Sequence, residues 1–206
     1  MFTVNIIVTD RDILIGNISY QITGILPLTK NPFSTIGNDW SLPYTILTEN
    51  QLEQFNQIAK KVGQEMQKSG WKGLFGIDVI YDEERNILNL IEINPRQPAS
   101  TTYESELQRK VDNKGLTIFD AHLNSFLNIP ISNSLTLIND GAQIIQRVTP
   151  KSSEIDGSKI AEAGYKVIKY NNTKPNSDFL RIQSSRGIME AHDKFNKRGK
   201  EIISLL

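Results

Sequence analysis

Two neighbouring stretches hold the residue types best suited to binding a charged ligand. Residues 76–81 contain Asp78, and residues 90–96 contain Glu92 and Asn94. Mg²⁺ prefers a few hard protein oxygens and takes its remaining ligands from water and phosphate. Adjacent carboxylates repel each other, and a cation between them lowers that cost. The residue types therefore suggest a magnesium site, although polar residues on the outer face of an amphipathic strand are also common.

The elements that must position these residues form a predicted β-hairpin. Residues 75–81 and 87–94 are rich in β-branched and aliphatic types, and the polar residues 82–86 join them. Side chains alternate along a strand, and directly paired residues point to the same face. One face is predicted to carry Ile77, Val79, Tyr81, Ile87, Ile91 and Ile93. The opposite face is predicted to carry Asp78, Ile80, Leu90, Glu92 and Asn94.

A cation follows the second strand. Arg96 stays protonated, and its planar guanidinium fits phosphate oxygens. Pro95 fixes the backbone where the strand ends and so redirects Arg96. The hairpin thus combines candidate metal ligands with a candidate phosphate ligand.

The run GIDVIYDEERNILNLIEINPR, residues 76–96, resembles the signature of ATP-grasp enzymes. That signature is an Asp or Glu on one strand, followed by Glu-x-Asn-x-Arg on the next. The resemblance implies that Asp78, Glu92 and Asn94 hold Mg²⁺, and that Arg96 is catalytic and faces the reacting phosphoryl group.

The same resemblance implies an ATP site around the hairpin. Ile80 occupies the position that touches the adenine ring, and Leu90 and Glu92 are expected to contact the nucleotide. Plain packing of the sheet is the alternative interpretation of Ile80. Both can hold together, because nucleotide pockets are mostly apolar.

The rest of the chain resembles the C-terminal half of an ATP-grasp ligase. The runs TVNIIV and DILIGNISYQ look like the segment that follows the lid, and the tail resembles the small closing subdomain. The implied fold class is α+β. An antiparallel lobe with flanking helices is expected at 1–132, and a small α/β subdomain at 133–206.

The segment NPRQPASTTYES is similar to the corresponding part of ATP-grasp ligases that join amino acids, such as the pyrrolysine-pathway ligase. The resemblance implies small carboxylate and amine substrates, with amino acids as the expected class. Ser100, Thr101 and Thr102 could hydrogen-bond such a substrate. An ordinary loop with turn-forming hydroxyls is the alternative interpretation.

The implied function is an ADP-forming carboxylate–amine ligation through an acyl phosphate. A biotin-carboxylase-like or carbamoyl-phosphate-synthase-like enzyme is one alternative. A non-catalytic binding or scaffolding fragment that pairs with another chain is a second. The family's N-terminal domain and lid are expected to be supplied by a missing portion or a partner chain, so the isolated chain is expected to be inactive and to bind Mg·ATP weakly.

The remaining elements follow from periodicity and capping signals. Thr48 with Gln51 forms a capping box that starts a helix, and Ser69-Gly70 ends it. A second helix at 117–127 is predicted to carry Phe119, Leu123 and Phe126 on one face. Residues 27–43 are predicted as a loop. Further strands are predicted at 2–8, 13–22, 142–148, 165–170 and 178–183, and further helices at 158–163 and 187–206.

Composition limits the function classes. The chain has 206 residues, with Lys plus Arg equal to Asp plus Glu at 23 each, which gives no net field to attract nucleic acid or a membrane surface. It has no Cys, which excludes disulfides and Cys-bound zinc, and only two His, which leaves few candidates for a His-based metal site. No apolar run is long enough for a membrane span, and no signal peptide is predicted, so a cytoplasmic location is expected.

Overall fold

A computed structural model describes residues 1–131 and 134–206. The chain combines antiparallel sheet with flanking helices, as the α+β prediction requires. The strands are β1 Phe2–Val8, β2 Ile13–Ile15, β3 Ser19–Thr23, β4 Thr35–Asp39, β5 Gly73–Asp82, β6 Ile87–Asn94, β7 Ala142–Arg147, β8 Lys166–Lys169, β9 Asp178–Ser184, β10 Met189–Ala191 and β11 Lys194–Phe195. The helices are α1 Pro43–Ile46, α2 Glu49–Lys68, α3 Thr101–Val111, α4 Ile118–Leu127, α5 Gly157–Glu162 and α6 Lys197–Ser204, with a 3₁₀ turn at Ser152–Glu154.

The chain divides by its contacts into two compact units. Unit 1 comprises Met1–Ser19 and Pro43–Asn139, and unit 2 comprises Tyr20–Leu42 and Asp140–Leu206. The predicted boundary between 132 and 133 falls on the two residues outside the described ranges. The division into a lobe at 1–132 and a subdomain at 133–206 therefore stays a prediction.

Unit 1 is built on three antiparallel strands in the order β6-β5-β1, with β2 paired to β1. The predicted strand at 2–8 and the predicted hairpin at 75–94 are confirmed. Helix α2 begins at the predicted capping box. The Thr48 side chain accepts from the Gln51 amide, and the Gln51 side chain accepts from the Thr48 amide at 2.8 Å.

The face of α4 that carries Phe119, Leu123 and Phe126 is partly exposed, and a different face of the helix is buried. Phe119, Leu123 and Phe126 are each 39–55% exposed, whereas Ile118 and Ala121 are fully buried. Ile118 and Ala121 pack against residues of β1 and β5. Their core cluster comprises Ile7, Leu74, Ile118, Ala121 and Leu135.

Unit 2 contains the antiparallel strand order β3-β4-β7-β9-β8 and the separate hairpin of β10 and β11. Strand β4 corrects the prediction of a loop at 27–43. The segment was not predicted as a strand because its sequence is polar and contains Gly. The structure explains the glycine: a Cβ added at Gly37 would lie 2.1 Å from the carbonyl oxygen of Gln143. Only Gly fits that close approach between neighbouring strands.

The single helix predicted at 187–206 is replaced by β10, β11 and the shorter α6. The buried Asp39 carboxylate explains this, because its Oδ2 accepts the backbone N–H groups of Ile188 at 2.6 Å and Met189 at 2.9 Å. Its Oδ1 accepts both the amide and the hydroxyl of Ser41 and the amide of Leu42. The segment is thereby held extended, and the helix begins only after Asn196, whose side chain caps it.

Within the described ranges, no helix combines the length and apolar character needed to cross a bilayer.

Candidate metal and phosphate site

The predicted ligands lie on one face of the unit 1 sheet. Asp78 on β5 pairs directly with Thr3 on β1 and with Glu92 on β6. In the next row, Gly76 separates Asn5 from Asn94. Directly paired side chains share a face of the sheet. The register therefore brings together the three residues predicted to hold a metal ion.

Hydrogen bonds order this group. The Asn94 Nδ2 donates to Asp78 Oδ2 at 3.1 Å. The Arg96 Nη2 donates to Asn94 Oδ1 at 3.3 Å. Arg96 thus lies beside the group, and its catalytic role stays a prediction.

The electrostatics favour a cation between the carboxylates. Asp78 is only 7% exposed, and burial raises its pKa above the ordinary value. The neighbouring Glu92 charge raises it further, while hydrogen bonds from Thr3 and Asn94 and the charge of Arg96 lower it. A bound divalent cation would offset both the burial cost and the repulsion.

The donor set also fits the chemistry of Mg²⁺, which needs few protein oxygens. Asp78 and Glu92 offer carboxylate oxygens, and Asn94 can offer its amide oxygen if the amide turns away from Arg96. Among the described residues, no group of three or more His, Cys, Asp or Glu side chains is placed to hold a metal. The predicted magnesium ligands are therefore two carboxylates, Asp78 and Glu92, and one amide, Asn94.

A β-bulge corrects part of the predicted face. The register shifts after Asp78, so that Val79 pairs with Leu90 and Ile80 pairs with Asn89, which leaves Ile91 as the extra residue. Leu90 consequently shares the face of Val79, and with Ile93 it lines a groove against α2. The placement of Leu90 beside Asp78 was wrong, because an extra residue reverses the alternation beyond it.

The bulge moves Ile87 as well. It pairs with Asp82, on the face of Asp78 rather than on the predicted apolar face. Ile80 keeps its predicted face, because the extra residue is in β6 and side chains still alternate regularly along β5. It is 43% exposed. It is therefore accessible to a ligand, and its contact with an adenine ring stays a prediction.

The chain after Arg96 folds back over the sheet. At Gly76, an added Cβ would lie 2.8 Å from the Pro98 Cγ, so the absence of a side chain makes room for this segment. Ser100 and Thr101 are buried, and their hydroxyls have internal partners: Asn5 Nδ2 donates to Ser100 Oγ at 3.1 Å, and Thr101 Oγ1 donates to the Pro98 carbonyl at 2.8 Å. Their substrate role stays a prediction, and it would require both hydroxyls to leave these partners.

A second buried polar group adjoins the site and was missed from the sequence. Glu104 on α3 is fully buried; its Oε1 accepts from the Asn17 amide at 2.8 Å and the Asn17 Nδ2 at 3.0 Å, and its Oε2 accepts from Asn5 Nδ2 at 2.5 Å. Burial raises the pKa of Glu104 from 4.5 to about 7, and the three hydrogen bonds oppose that rise. Glu104 was not singled out because α3, the helix that carries it, was not predicted.

Solved structures share this architecture. The chain is similar over 99% of its length to a carboxyaminoimidazole ribonucleotide synthase from Aspergillus clavatus complexed with ATP, with 16% identity and a TM-score of 0.66. It is similar over 98% of its length to an N5-carboxyaminoimidazole synthetase from Staphylococcus aureus complexed with ADP, with 13% identity and a TM-score of 0.64. It is similar over 97% of its length to an L-amino acid ligase from Bacillus licheniformis, with 14% identity and a TM-score of 0.61.

The chain shares the fold of part of these ATP-grasp enzymes. It covers 48% of each of those three structures, and thus spans about half the length of the ATP-grasp enzymes it matches. No protein-family model and no curated protein sequence gave a match.

Proposed function

We propose that this chain carries the magnesium- and phosphate-binding part of an ATP-dependent, ADP-forming ligase that joins a carboxylate to an amine. The observation that carries the proposal is the direct pairing of Asp78 with Glu92, with Asn94 and Arg96 alongside, in a chain with the ATP-grasp fold. The likeness to an L-amino acid ligase supports amino acids as the substrate class.

Each residue has a proposed role. Asp78, Glu92 and Asn94 hold Mg²⁺, which when bound neutralises charge on the nucleotide phosphates. Arg96 binds the transferred phosphoryl group through its fixed donors. Ile80 supplies apolar surface to the adenine ring. Leu90 has no part in the proposal, because the bulge turns it towards α2.

The proposed reaction has two steps. A substrate carboxylate oxygen attacks the γ-phosphorus of ATP, the bond to the β-phosphate oxygen breaks, and ADP leaves. The amine nitrogen then attacks the carbonyl carbon of the acyl phosphate, inorganic phosphate leaves, and the nitrogen loses a proton. Arg96 stabilises the negative charge that develops on the phosphoryl oxygens and on the tetrahedral intermediate.

A carboxylating or carbamoyl-phosphate-type reaction is the second candidate. Several of the matched structures are carboxyaminoimidazole ribonucleotide synthases, which favours it. A fold shared at this level of identity supports either chemistry, because function resides in the site rather than in the fold. Assays of ADP release with amino acids, and with bicarbonate, distinguish the two.

The proposal includes a dependence on further polypeptide. The chain spans about half the length of the matched enzymes, so we expect the remaining ATP-grasp groups to come from another portion or a partner chain. Electrostatic contacts are weak where water reaches both partners. Calorimetry on the 206-residue chain should therefore detect no tight binding of Mg·ATP, and micromolar binding would contradict this part of the proposal.

Substitution of Glu92 tests the site itself. In the ligase that contains this chain, Glu92→Gln removes the charge of a metal ligand and keeps its shape. Loss of one well-placed electrostatic group typically lowers the rate by about a hundredfold or more, and we expect ADP release to fall by that factor. Glu83→Gln, in the exposed turn of the same hairpin, is the matched control and should leave the rate unchanged. Full activity of Glu92→Gln would refute the assignment of the metal ligand.

A further inference from the structure

We propose that Thr3 is a positioning residue for this site: its hydroxyl holds the Asp78 carboxylate in the orientation needed to bind the metal ion. This inference rests on the proposed function, because it concerns the orientation of a proposed metal ligand. It assigns a role to β1, which lies outside the hairpin that carries the signature residues.

The geometry places Thr3 beside Asp78 on the side away from Glu92. The two residues pair directly across β1 and β5, so their side chains stand next to each other on one face. Thr3 is 7% exposed, and its hydroxyl, as a donor towards the Asp78 carboxylate, lowers the pKa of that group. A buried, β-branched side chain has few accessible rotamers, so this donor is fixed in place.

Asp78 has a second donor, but metal binding would remove it. Asn94 donates to Asp78 through Nδ2 while its Oδ1 accepts from Arg96. For Asn94 to bind a cation through its oxygen, the amide must turn, and Nδ2 then leaves Asp78. Thr3 makes no such change, so its hydroxyl would continue to orient Asp78 in the metal-bound site.

A substitution of Thr3 by Val isolates the contribution of its hydroxyl. Along this face, β1 presents Thr3, Asn5 and Ile7 in turn. Ile7 packs in an apolar cluster, and Asn5 donates to Glu104 and Ser100. At position 3, Val would match the shape of Thr and favours a strand, so its only loss is the hydroxyl. Hydrogen-bond partners of metal ligands typically contribute about 10- to 100-fold to metal affinity.

The test uses the 206-residue chain with Mn²⁺ as the probe, since paramagnetic broadening of amide NMR signals locates and quantifies even millimolar binding. We expect wild type to show broadening centred on β5 and β6 near Asp78 and Glu92, and Glu92→Gln to abolish it. We expect Thr3→Val to weaken Mn²⁺ binding about tenfold, and Thr3→Ser, which retains the hydroxyl, to restore most of the affinity. Thr173→Val, the same change at an exposed position of unit 2, is the matched control and should have no effect.

The outcomes separate this inference from the proposed function. If Thr3→Val binds Mn²⁺ as wild type does while Glu92→Gln does not bind, the role of Thr3 is overturned and the metal site stands. If Thr3→Ser is as weak as Thr3→Val, the hydroxyl is not the cause and the inference is also overturned. If wild type shows no localised broadening, or Glu92→Gln leaves it unchanged, the metal site fails and there is no ligand to position.

Discussion

Replacement of Glu104 by Gln should remove a pH-dependent loss of stability from the folded chain. Glu104 is fully buried, and its hydrogen-bond partners are the uncharged residues Asn5 and Asn17. Tyr44 is a titratable neighbour, and the Glu104 charge contributes to raising the pKa of Tyr44. An ionised Glu104 therefore sits among amide donors without a counter-charge, so folding favours its protonated form.

The size of the effect follows from the pKa of Glu104, which burial raises from 4.5 to about 7. At about 1.4 kcal/mol per pH unit, this rise corresponds to about 3 kcal/mol of unfolding free energy. The folded state binds the proton more tightly than the unfolded state between these two pKa values. The contribution of Glu104 to the unfolding free energy is therefore fully present below pH 4.5, and it is lost as the pH rises to about 7.

Urea unfolding of wild type and Glu104→Gln near pH 5 and near pH 8 measures this directly. We expect the difference in unfolding free energy between the two proteins to shift by about 2–3 kcal/mol in favour of the variant at the higher pH. Glu83→Gln, an exposed carboxylate in the hairpin turn, controls for the loss of one titrating group. Parallel pH dependences for wild type and Glu104→Gln would show that Glu104 does not carry the effect.

Two further predictions concern the framework of each unit. Asp39→Asn replaces one carboxylate oxygen by an amide donor, although Asp39 accepts five hydrogen bonds. We therefore expect urea unfolding to show that unit 2 loses about 3 kcal/mol or more of unfolding free energy. Asp156→Asn is the exposed control, and equal stability of the two variants would contradict this prediction. Gly76→Ala puts a Cβ 2.8 Å from Pro98 and should lower the free energy of unfolding by about 1–3 kcal/mol, measured by thermal unfolding. Gly157→Ala, whose added Cβ makes ordinary contacts from 3.4 Å, is the control and should change stability little. If Gly76→Ala is tolerated equally well, the close contact with Pro98 is not the reason for that glycine.

Local signals predicted the hairpin and α2 because those signals reside in a few adjacent residues. Alternation placed Asp78 and Glu92 on one face, and the capping box at Thr48 fixed the start of α2. The bulge at Ile91 could not be predicted, since alternation assumes a regular ladder. Its consequence was the misplacement of Leu90.

The other differences arise from contacts between distant parts of the chain. The extended conformation at Ile188 depends on Asp39, which lies 149 residues away, so helical periodicity in the last 20 residues was misleading. Strand β4 depends on the close approach of Gly37 to β7. Helix α3 follows a Pro-containing segment, and its buried face includes Glu104 and Gln108, residue types that are rarely found inside proteins.

The bulge in β6 separates the hairpin into two parts that can change independently. On the side towards Asn94, the ladder fixes Asp78 against Glu92. On the side towards the turn at Asn86, the pairing has already shifted by one residue. A change of length in the turn therefore falls beyond the shifted register and leaves the pairing of Asp78 with Glu92 as it is.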